Sequence, residues 1–127
     1  MFMINDILLQ VGSIVIIVWG IAHIVPTKSV VRGFGEISED NKRIIKMEWI
    51  AEGLTLIFIG ALVLAITILG GPQNPISRNV FRASALMLII MAILTASTGA
   101  RTSIVPIKIC PAIKIIVAIL FLLGVYL

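Results

Sequence analysis

Four apolar stretches alternate with short polar segments along the chain: Ile7–Val25, Met47–Leu69, Ala83–Gly99 and Ala112–Leu127. Each approaches or exceeds the length of about 20 residues that carries a helix across about 30 Å of hydrocarbon. Pro26 closes the first, and Gly70-Gly71-Pro72 closes the second with two flexible residues and one that cannot extend a helical ladder. The third is expected to end near Gly99, and Pro111 is expected in the first turn of the fourth, where a missing N–H costs nothing. Ser38 reads as an N-cap followed by Glu39 and Asp40, so the second helix should start about two turns before its apolar run. The pattern predicts an all-α fold, an up-down bundle of four transmembrane helices forming one integral membrane domain over residues 1–127. Unpaired backbone groups cannot face lipid, so each span has to be helical.

Composition agrees: 60% of the 127 residues are hydrophobic and 13% charged, against about 25% charged in an average soluble domain. Ile113–Leu127 carries Lys114 as its one charged residue, which excludes an amphipathic soluble bundle. A single cysteine cannot form a disulfide within the chain. No basic residue precedes Ile7 and no small-x-small site follows the first apolar run, so span one is read as a permanent helix rather than a signal peptide.

The net charge of +4 does not indicate nucleic-acid binding, because the cations sit in short connections interleaved with Glu36, Glu39 and Asp40. Eight of the ten basic residues flank the first and third connections: Lys28, Arg32, Lys42, Arg43 and Lys46, then Arg101, Lys108 and Lys114. Arg78 and Arg82 lie on the other side. The positive-inside rule therefore puts those two connections in the cytoplasm and both termini outside it, in the cell membrane. Phe2, Phe81 and Tyr126 are expected at the outer interface and Trp49 at the inner one.

Helical periodicity then gathers the polar residues in one leaflet. Trp19 and His23 are i, i+4; Glu48 and Glu52 are i, i+4 with Thr55 next; Thr95, Thr98 and Arg101 follow at the inner end of span three. These stripes predict an inner-leaflet pocket lined by Trp19, His23, Glu48, Trp49, Glu52, Thr98 and Arg101. Glu52 lies six residues beyond Lys46, about 9 Å deeper along a helix, where a carboxylate is expensive to keep. Arg101 or His23 are its expected partners. Cys110 is expected to be inert or lipid-modified. No metal-ligand spacing is present, and nothing identifies a cofactor. Gly12, Gly20, Gly53 and Gly60 thin the first two helices, which suits packing within the bundle and a homo-oligomer interface alike.

The segments Trp19-Gly20-Ile21-Ala22-His23-Ile24-Val25-Pro26 and Glu48-Trp49-Ile50-Ala51-Glu52-Gly53-Leu54 resemble the small four-helix membrane proteins of the DoxX-like group. The likeness covers roughly the first half of the chain. It implies a lipid-soluble or redox partner, within a larger membrane complex or alone, and transfers no catalytic residue. Two functions fit the residues. One is a membrane protein that binds a lipophilic small molecule, or serves as an accessory membrane subunit, through the pocket. The alternative is an intramembrane enzyme in which Glu52 and His23 are catalytic and exchange protons with a sterol, isoprenoid or quinone-like substrate.

Overall fold

A computed structural model describes residues 3–127, so the expectation for Phe2 falls outside the described residues. Four long helices form the bundle: α1 (Ile4–Ile24), α3 (Glu39–Leu69), α4 (Pro75–Ser97) and α5 (Val105–Tyr126), with a short α2 (Thr27–Arg32) between the first two. All four are long and apolar enough to cross a membrane, and the protein is an integral membrane helix bundle.

All four long helices begin earlier than their apolar runs, and in α3 and α4 a side-chain cap, not hydropathy, sets the start. Ser38 accepts from Asn41 N (3.1 Å), and α3 extends over 31 residues, about 46 Å at the helical rise. Asn74 accepts from Ile76 N (2.9 Å) and Pro75 opens α4, well ahead of the expected Ala83. Pro106 lies in the first turn of α5, so Pro111 falls inside the helix rather than in its first turn. That displacement carries Lys114 from an expected interfacial position into the bundle, with none of it exposed.

Both termini share one end of the bundle with the α3–α4 turn, and the other two connections share the opposite end, here called the loop end. The terminal end is tied together by backbone-directed polar contacts. Asn5 Nδ2 donates to Gly124 O (3.0 Å) and an Arg78 guanidinium nitrogen donates to Val125 O (3.1 Å). Arg82 Nε donates to the Tyr126 hydroxyl (3.1 Å). Phe81 is not at an interface, as its aromatic character suggested, but wholly buried with Leu56, Val63 and Leu88. It belongs to α4's inward stripe, which runs from Ser77 through Ala85 and Leu88 to Ala92, so periodicity overrides the aromatic preference for the interface.

Glycine governs the α1–α3 crossing. A Cβ at Gly20 would lie 2.8 Å from Gly53 O, and one at Gly60 would lie 2.7 Å from Ser13 O. The small residues therefore serve packing within the bundle at these positions, letting backbones approach as no larger residue would. Around the bundle the order is α3, α1, α5, α4: α1 packs on α3 and α5, and α4 packs on α5. The α3–α4 pair touches sparsely although the two are consecutive. Gly71, at φ +72°, makes the tight turn that holds them together at the terminal end. Toward the loop end they leave a gap.

A cleft at the loop end

That gap opens into a cleft of about 730 Å³ whose walls come from α1, α3, α4 and α5. Core side chains such as Val63, Phe81 and Phe121 fill the terminal half of the bundle. In the loop half, Met87, Met91, Leu94 and Ile107 form an apolar wall, and Trp19, His23, Glu48, Trp49, Glu52 and Thr98 line the remainder. Six of the seven expected pocket residues are thus brought together.

Arg101 is not. It is exposed at the end of a 3₁₀ turn, Gly99–Arg101, of which Gly99 lines the cleft and Arg101 does not. The expected stripe through Thr95 and Thr98 does not reach Arg101 because α4 ends at Ser97 and Thr98 takes φ −125° and ψ −88°. Glu52 is consequently paired with Lys114 and His23 rather than with Arg101.

The Gly20–Gly53 crossing explains this geometry. It brings the backbone beside His23 against the backbone beside Glu52, where a side chain at either position would hold the helices apart. Lys114 Nζ donates to Glu52 Oε1 and to Thr95 Oγ1 (2.8 Å). Thr95 in turn donates to Met91 O (2.8 Å). A wholly buried ammonium without such acceptors would leave an uncompensated charge, so Glu52 and Thr95 are what make Lys114 tolerable here. Glu52 retains 30% of its side-chain surface and faces the cleft.

On the opposite side, His23 stacks on Trp49, with ring centroids 3.9 Å apart and planes 16° apart. Trp49 is oriented by donating from Nε1 to the His23 carbonyl (2.6 Å). This pins the imidazole with its Nε2 3.3 Å from Glu52 Oε2. The two atoms are close, but the approach lacks hydrogen-bond geometry, so the buried Nε2 has no hydrogen-bond partner among the described residues. Trp19 Nε1 donates to Cys110 Sγ (3.3 Å), which makes buried Cys110 part of the wall. Glu48 stands exposed at the rim, one turn from Glu52. Among the described residues, no group of three or more His, Cys, Asp or Glu side chains could hold a metal ion.

Lys114, which the sequence reading assigned to orientation, instead holds the cleft residue Glu52 from inside the bundle. The signal was present in the period of α5: Cys110, Lys114, Val117, Ala118, Phe121 and Val125 all fall on its buried stripe. A lysine on that stripe requires an acidic partner, and Glu52 is the one the bundle supplies. No family model, no curated protein and no solved structure matches the chain.

Proposed function

We propose that the protein binds a lipophilic small molecule in this cleft, entering sideways from the membrane through the gap between α3 and α4. The observation that carries the reading is the composition of the walls: methionine and aliphatic side chains, two tryptophans, and a few polar groups converging at one end. Ligand sites combine an apolar lining with a few placed polar groups in this way, within about 300–1,000 Å³. A purely structural ion pair would satisfy Lys114 and Glu52 but would not require open space beside them. The excess of basic side chains at the loop end supports a cytoplasmic position for that end, with both termini outside and the cell membrane as the location. Service as an accessory subunit of a larger complex, and the DoxX-like relationship, belong to the same proposal.

Protein extracted into native-lipid discs should carry a discrete co-purified molecule, identified by mass spectrometry of the extract. Leu94→Trp, on an exposed part of the cleft wall, should lose it while keeping the fold. The same bulk lipid in both preparations would sink the proposal.

A second reading, acid–base catalysis on a bound lipid, is favoured by the 3.3 Å approach of His23 Nε2 to Glu52 Oε2. Two adjacent titratable groups facing a ligand space are what proton exchange requires. His23→Gln should then abolish turnover of a candidate lipid without loss of expression. Unchanged turnover would remove His23 from such a mechanism.

A further inference from the structure

A second recess lies outside the cleft and has the opposite character. α2 rests against α3, and between them runs a groove of about 460 Å³ whose charged lining is Lys28, Arg32, Lys42, Arg43 and Lys46 with Glu39 as the one acid. Helical spacing builds its walls. Lys28 and Arg32 are i, i+4 on α2, while Glu39, Lys42, Arg43 and Lys46 fall at i, i+3, i+4 and i+7 on one face of α3. Gly35, at φ +74°, turns the chain between the two helices. Glu39 is engaged by Lys42 (3.1 Å). Lys28, Arg32, Arg43 and Lys46 make no ion pair among the described residues. Like charges one turn apart on a helix repel, and here two such rows line the same groove. Membrane orientation requires cations in a connection but is indifferent to the face they take. Arg101 and Lys108, in the other loop-end connection, line neither recess. Glu36 and Asp40 belong to the same connection as the groove and do not line it, so its charge is left uncompensated from within.

We infer that this groove binds the head of an anionic phospholipid carrying two phosphates. Each wall supplies one unpaired arginine and one unpaired lysine: Arg32 with Lys28 on α2, Arg43 with Lys46 on α3. A guanidinium takes a phosphate through two parallel N–H donors and an ammonium adds a point charge, so each pair suits one phosphate. A head with a single phosphodiester would leave one wall uncompensated. The groove also ends where lipid begins. Lys46 is followed by Met47, the first residue of α3's apolar run, and Met47 and Val25 are both exposed. Acyl chains attached to a head in the groove therefore have hydrocarbon-facing surface beside it, which a free phosphate ester would not use. The site is separate from the cleft and stands whether or not the cleft holds a ligand.

The whole chain in uncharged maltoside micelles, where orientation in a membrane does not enter, is titrated with cardiolipin, phosphatidylglycerol, phosphatidylcholine and the deacylated cardiolipin head. Native mass spectrometry counts the bound molecules. Cardiolipin should bind one to a chain, at a concentration at least about fivefold below phosphatidylglycerol, with phosphatidylcholine and the deacylated head weaker still; about fivefold is the effect of one basic residue near an anionic lipid. Arg32→Gln with Lys46→Gln takes one cation from each wall and should weaken cardiolipin about 25-fold. Both side chains are exposed, and unchanged tryptophan fluorescence checks that the fold is kept. Arg101→Gln with Lys108→Gln removes the same charge from the other connection and should leave binding unchanged. Equal losses in the two double variants would overturn the groove as a site in favour of general attraction to a basic end. Equal binding of phosphatidylglycerol and cardiolipin would overturn the two-phosphate head. A deacylated head that binds as tightly as the lipid would overturn the lipid as the source of the phosphates. Binding of none of the four overturns the inference outright.

Discussion

Replacing Lys114 with methionine keeps an unbranched chain one atom shorter and removes the charge, leaving Glu52 without its buried partner. Breaking a fully buried ion pair from one side costs about 3–5 kcal/mol. Glu52 keeps 30% of its side-chain surface, so water recovers part of that loss and we expect about 2–3 kcal/mol for Lys114→Met. The reverse change is harsher. Glu52→Gln leaves an ammonium with no exposed surface facing an amide and Thr95, and should reach the upper end, about 4–5 kcal/mol. The double variant Lys114→Met with Glu52→Gln removes both charges and should cost no more than about 1 kcal/mol. The coupling between the two sites should therefore be several kcal/mol, well above the about 0.3–0.5 kcal/mol within which independent sites add. Equilibrium unfolding in mixed micelles with increasing dodecyl sulfate, followed by the fluorescence of Trp19 and Trp49, measures all three. Additive single variants, or Lys114→Met costing less than Glu52→Gln by no measurable margin, would refute the buried pair as described.

Gly53→Ala should force α1 and α3 apart, because the added carbon would meet Gly20 O at 2.9 Å; a loss of about 1–3 kcal/mol in the same assay is expected, and a neutral result would contradict the close crossing. Trp49→Phe removes the donor to the His23 carbonyl and should cost about 1 kcal/mol, while freeing the imidazole ring, read as a broadened His23 ring signal by NMR in discs; an unchanged signal would show that Trp49 does not orient it. A reporter fused after Leu127 should be active outside the cytoplasm, because with Lys114 buried seven basic residues still flank the loop end against Arg78 and Arg82 at the other, and cytoplasmic activity would invert the proposed orientation.

The four helices were legible because lipid imposes one solution on long apolar segments. The convergence of His23, Glu48, Glu52 and Thr98 was legible because a polar residue on an apolar helix turns inward, and i, i+4 spacing shows which ones turn together. Lys114 and Arg101 were exchanged in role for a local reason. Hydropathy marks where lipid contact begins, whereas Pro106 and Ile104 mark where α5 begins, and the difference of about two turns moves Lys114 from the interface to the core. At Arg101 the periodic argument ran past the end of its helix. The gap between α3 and α4 could not be read from the chain, since it depends on which faces of four similar helices pair, and the turn at Gly71 would serve a closed hairpin equally well.

The space between Trp19, Trp49 and Met91 is proposed as the place for a lipophilic molecule. A crystal structure of the protein grown from a lipidic phase, without added ligand, tests it most directly. One elongated density entering between α3 and α4 and ending between Trp19 and Trp49, beside Glu52, is expected. A cleft closed by α4 packing against α3, with Glu52 and Lys114 paired as before and no density between the tryptophans, would contradict it.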